Sequence, residues 1–567
     1  MYSDIKAVNI LTSLLVAHGV RHAVVCPGSR NAPICHNLAA CGEIECHPMT
    51  DERSAGFFAI GVSQANGLAP VAVCVTSGSA ILDVSPAVAE AHYQRVPLIV
   101  IAADRPAAWI GQLDGQTMPQ LGAFGPMARR AVSLPEGESE EDLWHANRLI
   151  NEALMDAADR WPVLINVPLH EPLYQFTTAE LPAERKVERL VFGLPPHESL
   201  LASLIRKAAR PMLIIGQTNE TLDQDALRRV AREMPVFSET ISSVGGRLLN
   251  ECAYALRRGA VADADSYAPD LIIYAGGTLV GKDAKAFIRS HNKESETILI
   301  SSDGELHDVF MNTAMVIRST VGDALRNIDA ALRSPAADKD EATQATGGRL
   351  APDAWRARWE ALEGKVREAC GRPATLFSQL QVMQRFAGHV HQVGNSSAVR
   401  LLCLTQKTHA FCNRGINGID GSLSTAAGFA ACMPAGRHCL CAIGDLSFFY
   451  DQNALWNRGV DGRLRILLLN NGGGGIFSRF EGLKGSPAKD AIVMARHDTS
   501  ARGICAQNGA DYMQARDAQD VDGAFGWLTT DEEDNRASRA RLLEVFTDID
   551  YDAEALKTHY ENMISII

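Results

Sequence analysis

Between Gly444 and Phe477 the chain reads GDLSFFYDQNALWNRGVDGRLRILLLNNGGGGIF. Gly444-Asp445 follows the apolar run HCLCAI, and Asn470-Asn471 follow LRILLL, with the glycines Gly472 to Gly475 next. A dinucleotide fingerprint needs G-x-G-x-x-G opening a helix, with an acid roughly 20 residues later. Here the glycines are contiguous and run into Ile476-Phe477, so a nicotinamide site fits poorly. Two parallel strands joined by one helical crossover place both strand ends on one sheet edge, where α/β proteins bind ligands. Asp445 and Asn471 then converge as oxygen ligands, and a carbonyl of the glycine run supplies a third. A hard cation such as Mg²⁺ takes about six oxygens, commonly one or two protein carboxylates plus phosphate oxygens. Amides at a helix start near Ser447 and in the glycine loop suit a diphosphate. Asp445 as a mere helix cap would explain the acid but not the asparagines at the second strand end.

Outward from this stretch, short β-branched runs alternate with helical patterns. HAVVC (22–26), VAVCV (71–75), PLIVIAA (97–103) and PVLINV (162–167) read as strands buried on both faces of a parallel sheet. They define an α/β domain over residues 1–180. A Pro- and charge-rich linker (177–199) precedes PMLIIG (211–216), LIIYAG (271–276) and TILISSD (297–303), a second α/β domain over 195–333. The polar, aperiodic stretch SPAADKDEATQATGGRLAP (334–352) marks the next boundary. A third α/β domain, 353–567, contains HQVGNSS, THAFCNRG, HCLCAIGD and LRILLLNN. The fold class is therefore α/β, three domains each with a mainly parallel sheet flanked by helices.

Bulk composition narrows the functional classes. With 54 basic and 67 acidic residues the formal charge is -13, which disfavours a broad nucleic-acid or anionic-membrane surface. None of the 13 cysteines forms a Cys-x-x-Cys pair, and Cys26, Cys74, Cys439 and Cys441 sit in apolar runs as small hydrophobes. The opening MYSDIKAVNILTSLLVAHGV reads as an amphipathic helix rather than a secretory signal. Reduced thiols and a cytoplasmic location are expected, with no membrane partner.

Gly-Asp followed about 25 residues later by Asn-Asn resembles the metal-diphosphate motif of thiamine-diphosphate enzymes. Such a cofactor needs a carboxylate against its pyrimidine ring, from another domain at a strand-to-helix junction. HPMTDERSAGFFAIGVSQANG (47–67) offers Asp51 and Glu52 at a helix start. Acids are common in a first turn because the helix dipole favours them; paired with the diphosphate motif, Glu52 becomes the preferred activating carboxylate.

Further motifs occur in order: VCPGSRNAP (25–33), TDERSAGFFAIG (50–61), TSGSA (76–80), ADRP (103–106), GNSSAVR (394–400) and NRGINGIDGSLSTAAG (413–428). With GDLSFFYDQNAL and NNGGGGIF, they resemble the 2-succinyl-5-enolpyruvyl-6-hydroxy-3-cyclohexene-1-carboxylate synthases of menaquinone biosynthesis over nearly the whole chain. The resemblance implies decarboxylation of 2-oxoglutarate on thiamine diphosphate and 1,4-addition of the succinyl unit to isochorismate. It implies Mg²⁺, with Mn²⁺ as an alternative, held by Asp445, Asn471 and the Gly473 carbonyl. Leu446, Ser447, Ile476 and Phe477 would line the cofactor, Ile419 would wedge it into a bent shape, and Glu52 would activate it. Ser396 and Arg400 would hold the succinyl carboxylate, while Ser29, Arg30, Arg105, Gln116, Lys282 and Arg414 would surround isochorismate. Arg30, Arg400 and Arg414 join Glu52 as the implied catalytic residues, because planar guanidinium forks suit dicarboxylate substrates. A homodimer or dimer of dimers, with the site at a subunit interface, is also implied.

Two positions depart from that pattern. Asp283 follows Lys282 where an arginine is usual, so either Asp283 turns away or another cation such as Arg289 substitutes; Gly115 stands where an asparagine often precedes Gln116. The nearer rival is an acetolactate-synthase-like carboligase or 2-oxoacid decarboxylase, and the more distant one a nucleotide-binding dehydrogenase or a non-catalytic binding protein. The cluster of carboxylate-binding arginines disfavours the first, and the presence of Glu52 disfavours a non-catalytic protein.

Overall fold

The run VAVCV becomes a strand with every residue buried, and LIVIAAD another, as continuous apolar runs in a covered parallel sheet should. The computed structural model describes residues 1–189, 198–333 and 352–567. The boundary stretch 334–352, Pro352 excepted, and part of the 177–199 linker lie outside the described residues.

The first sheet holds β1 (His22–Val25), β2 (Glu45–Pro48), β3 (Val71–Val75), β4 (Leu98–Asp104), β5 (Arg130–Ser133) and β6 (Val163–Pro168), in the order β2-β1-β3-β4-β6-β5. The second holds β7 (Pro211–Ile215), β8 (Val236–Ser238), β9 (Leu271–Ala275), β10 (Glu296–Ser301) and β11 (Thr313–Arg318), ordered β11-β10-β9-β7-β8. The third holds β12 (Val390–Val393), β13 (Phe411–Cys412), β14 (Cys439–Gly444), β15 (Leu464–Asn470), β16 (Asp511–Ala515) and β17 (Arg541–Phe546), ordered β13-β12-β14-β15-β17-β16. The strand pairs within these sheets are parallel. Counted within each domain, the first and third sheets share one strand order, 2-1-3-4-6-5.

The third sheet lies at the centre of the packing. Along β14, Cys439, Cys441 and Ile443 belong to a core shared with helices 52–65 and 422–431. Leu440 and Ala442 belong to the opposite core, shared with β7, β9 and helix 352–370. The two-residue period of a strand divides the chain between its neighbours in this way. Trp355 and Trp359 of helix 352–370 are fully enclosed, and Trp355 Nε1 donates to the Pro211 carbonyl at 3.0 Å, tying the helix to the second domain.

Helices 52–65 and 422–431 join the first and third domains through small residues. An added Cβ at Gly61 would overlap the Thr425 carbonyl oxygen, and one at Gly428 the Phe58 carbonyl oxygen. The small-residue sequences SAGFFAIG and SLSTAAG are thus the condition for backbone-to-backbone approach. No helix among the described residues is long and apolar enough to cross a membrane.

Candidate functional site

In the third domain the chain moves from β12 outward to β13, then returns to β14 on the other side of β12. The crevice between β12 and β14 is therefore a topological switch point, where ligands bind in open α/β sheets. Gly394-Asn395-Ser396 emerges from β12 and Gly444-Asp445 from β14, so two separate sequence motifs meet at one edge.

Asp445 is buried and opens helix 445–450. Its Oδ1 accepts from the adjacent Leu446 N at 2.7 Å, while Oδ2 reaches across to Asn471 N at 3.2 Å and Gly473 N at 3.0 Å. The bridge to the second strand end is present, whereas the helix has no side-chain cap. Gly473 has φ 151, and an added Cβ would lie 2.8 Å from the Met494 carbonyl oxygen, so only glycine fits this turn. Asn471 Nδ2 donates to Asp552 at 2.8 Å, which orients its amide, while Asn470 donates to Glu544 at 2.8 Å and so braces the sheet. The two asparagines have different duties.

Sequence reading missed His497. Its Nε2 lies 3.5 Å from Asp445 Oδ2, an ion-pair distance without good hydrogen-bond alignment, and Thr499 N donates to its Nδ1 at 3.1 Å. The Asp445 carboxylate raises the imidazole pKa above its ordinary value against the opposing effect of burial. Nothing in the local sequence marks this histidine, because its partner is 52 residues away.

Asn395, within the GNSS motif but given no role by sequence, is the joint of the crevice. Its amide donates to the carbonyls of Asn413 and Gly418, the latter at 2.7 Å, and its Oδ1 accepts from Arg414 Nη1 at 2.9 Å. Arg414 is buried, and its Nε has no hydrogen-bond partner. Ser396 holds φ 67, and its carbonyl accepts from Arg400 Nη1 at 2.5 Å. Ser447 Oγ donates to the Ile419 carbonyl, fixing the Ile419 loop beside Asp445. Ile419 itself is exposed. Phe477 covers Gly474, and its ring centroid is 6.1 Å from that of Phe480. Lys282 Nζ stands 5.9 Å over the Phe480 ring, bringing the second domain to the glycine loop.

The departure at Asp283 resolves itself structurally. Asp283 ion-pairs with Arg257, away from Lys282, while Arg289 Nε donates to the Val309 carbonyl at 2.9 Å and does not substitute. At Gly115 an added Cβ meets nothing within 4 Å, so the glycine is not sterically required. Two buried acids, unmarked in sequence, frame the cationic side. Glu239 accepts from Val280 N at 2.6 Å and Gly281 N at 2.7 Å, at the start of helix 282–290, and stands within electrostatic reach of Arg414 and Lys285. Glu90 of the first domain accepts from Gly415 N at 2.6 Å and Ile416 N at 2.9 Å. Burial raises both carboxyls above their ordinary pKa.

The first domain builds its own crevice at the equivalent place, between β1 and β3. Arg30, following β1 with Ser29, is buried and donates to the Leu169 carbonyl at 3.0 Å. Burial and the neighbouring Arg105 lower its pKa from the ordinary value. Arg105 pairs with Asp114 at 3.6 Å, and its buried Nε has no hydrogen-bond partner. Gln116, with φ 56, packs on Gly78 of the loop after β3. Glu52 is the first residue of its helix, capped by Asp51, and half-burial pushes its carboxyl up from the ordinary value, with Asp83 and Asp51 adding to the effect. Among the described residues no hydrogen bond or ion pair links Glu52 to Asp445. Asp445 and Arg414 gather at the third domain's switch point and Arg30 and Arg105 at the first's, while Lys282 comes from the second domain.

The donor set accords with a metal-diphosphate. A buried carboxylate, an oriented amide and backbone groups of a glycine turn offer hard oxygens, the chemistry Mg²⁺ prefers. The buried Nε atoms of Arg105 and Arg414, without partners, call for acceptors.

Comparison with known proteins agrees. Residues 5–123 match the family described as "Thiamine pyrophosphate enzyme, N-terminal TPP binding domain". The chain is 39% identical over 584 residues to the 2-succinyl-5-enolpyruvyl-6-hydroxy-3-cyclohexene-1-carboxylate synthase of Bacteroides fragilis, covering 99% of this chain and 100% of the relative. It is 38% identical to that of Phocaeicola vulgatus, covering 99% of each, and 35% identical to that of Desulfotalea psychrophila, covering 90% and 93%. With 38% and 39% identity over 99% of its length to two of these relatives, the chain belongs to the 2-succinyl-5-enolpyruvyl-6-hydroxy-3-cyclohexene-1-carboxylate synthase family, thiamine-diphosphate-dependent transferases that form C–C bonds.

Proposed function

We propose that the protein decarboxylates 2-oxoglutarate and adds the resulting succinyl unit to isochorismate, with Mg²⁺ anchoring thiamine diphosphate. The observation that carries this reading is the buried Arg414, held by Asn395 at the switch point with its Nε unpaired. A buried cation with an orphaned donor fits a carboxylate-bearing substrate beside the cofactor. Bound thiamine diphosphate supplies a nucleophilic carbon and an electron sink for decarboxylation.

The chain supplies grip, orientation and proton placement. Asp445, Asn471 and the Gly473 carbonyl would hold the metal, with the Ser447 end of the helix start and the glycine turn beside the diphosphate. Ile419, Ile476 and Phe477 exclude water around the reacting carbon. Glu52 would hydrogen-bond the cofactor's pyrimidine ring, and its raised pKa suits a carboxyl that must hold and release a proton there. Ser396 and Arg400 orient the succinyl carboxylate. Ser29, Arg30, Arg105, Gln116, Lys282 and Arg414 bind and orient the carboxylates of isochorismate.

Glu52 and Asp445 lie in different domains without a bond between them in one chain. Their union across two chains of a homodimer, or within a dimer of dimers, completes the site. Purified protein incubated with thiamine diphosphate, Mg²⁺ and 2-oxoglutarate, with and without isochorismate, tests the proposal by product mass. Failure to release CO₂ from 2-oxoglutarate under both conditions overturns it.

A further inference from the structure

Away from both crevices, the outer edge of the first sheet gathers three side chains able to ligate a metal. Strands β1 and β2 pair in parallel, with His22 opposite Glu45 and Val24 opposite His47. Residues two apart on a strand share a face, so Glu45 and His47 project together and His22 joins them from the neighbouring strand. His22 Nδ1 lies 3.2 Å from His47 Nε2 and 3.7 Å from a Glu45 carboxylate oxygen, and the three ligand atoms all fall within 4.8 Å of one another. A tetrahedral centre with bonds of about 2.0–2.1 Å sets its ligand atoms about 3.3 Å apart. The His22–His47 spacing already matches such a shell, and small side-chain rotations would bring Glu45 into it.

We infer that His22, Glu45 and His47 form a second metal site, taking a borderline divalent cation of the Zn²⁺ class, with water completing the shell. Two imidazoles and one carboxylate suit such a cation, whereas Mg²⁺ prefers an all-oxygen set. The two sites therefore select different ions. The rings of His22 and His47 stack at 5.4 Å, and His47 rests on Phe58 at 5.5 Å, so an apolar wall from helix 52–65 fixes the imidazole plane. Without the ion, the two rings share a histidine–histidine hydrogen bond. With it, β2 is clamped to β1 just before the chain turns at Asp51 into the helix that Glu52 opens.

The test uses the full-length chain without a histidine tag. Protein is equilibrated with Zn²⁺ in excess Mg²⁺, desalted, and its metal content and thermal midpoint are measured. The wild type and Asp445→Ala are each expected to retain one Zn²⁺ per chain, with a raised midpoint. Loss of an outer-shell partner costs about 10–100-fold in metal affinity, so His22→Asn and His47→Asn should weaken binding by about 100-fold or more. Glu45 is 67% exposed, so Glu45→Gln keeps the fold and decides the matter if the histidine variants do not; it should weaken binding by at least roughly tenfold. A wild type that retains no Zn²⁺, or a Glu45→Gln variant that retains it with unchanged affinity, overturns the inference.

Discussion

The Glu90 carboxylate of the first domain grips the backbone of Gly415 in the third, accepting its N–H at 2.6 Å and that of Ile416 at 2.9 Å. The loop that carries Arg414 and Ile419 is thus held from outside its own domain. Replacing Glu90 by Gln turns one buried acceptor into a donor facing a donor. Glu90→Gln should destabilise the fold by about 1–3 kcal/mol and weaken substrate binding through Arg414. Denaturant midpoints and KM for both substrates check this; a variant normal in both would show that the loop stands alone.

Glu52→Gln should retain thiamine diphosphate, because the diphosphate grip lies in another domain, yet lose turnover by roughly 100-fold or more. Cofactor affinity and kcat measured on one preparation separate the two effects. Near-normal kcat removes Glu52 from the activation role.

Asp445→Ala should abolish Mg²⁺-dependent cofactor binding while leaving the sheet intact, since Asn470 still braces it through Glu544. Calorimetric titration with thiamine diphosphate, with and without Mg²⁺, reads the outcome. Undiminished affinity would refute the metal assignment.

Gly428→Ala should destabilise by about 1–3 kcal/mol or more, because overpacking forces backbone shifts and the new methyl overlaps the Phe58 carbonyl oxygen. Gly115→Ala, which meets open space, serves as the control in the same denaturation series.

Asp451 gives a pH signature. Its carboxylate accepts the Ser424 N–H and hydroxyl, both at 2.7 Å, yet burial pushes its pKa up to about 7 from the ordinary 3.8. Between about pH 4 and 7 the folded state therefore holds a proton that the unfolded state has released. Stability from this group falls as pH rises through that window, at a slope of at most about 1.4 kcal/mol per pH unit. Asp451→Asn should flatten the profile of denaturant midpoint against pH; an unchanged slope would exonerate Asp451.

The central strands were legible because burial on both faces writes an unbroken apolar run, as in VAVCV and LRILLL. Edge strands were not: β2 (ECHP), β5 (RAVS) and β16 (DYMQA) are partly exposed and carry no such run. Strand β17 is central yet interrupted by Glu544, a charge buried among Asn470, Ser500 and Tyr512. The meeting of Asp445 with the Asn471 strand end was legible from motif spacing, and the position of Glu52 at a helix start from its local pattern. His497, Glu90 and Glu239 were not, because each acts on a partner far along the chain and looks locally like any polar residue. The shared strand order of the first and third domains was also invisible, since topology leaves no mark on composition.

The alternation along β14 also sorts the buried thiols. Cys439 and Cys441 belong to the core that faces the first domain, together with Cys26 and Cys505, whereas Cys252, Cys370 and Cys412 belong to the one that faces the second. Enclosed thiols react with a labelling reagent only when their own surroundings open. The protein therefore carries two built-in clocks on one polypeptide, and the order in which they run tells which neighbour the central domain releases first.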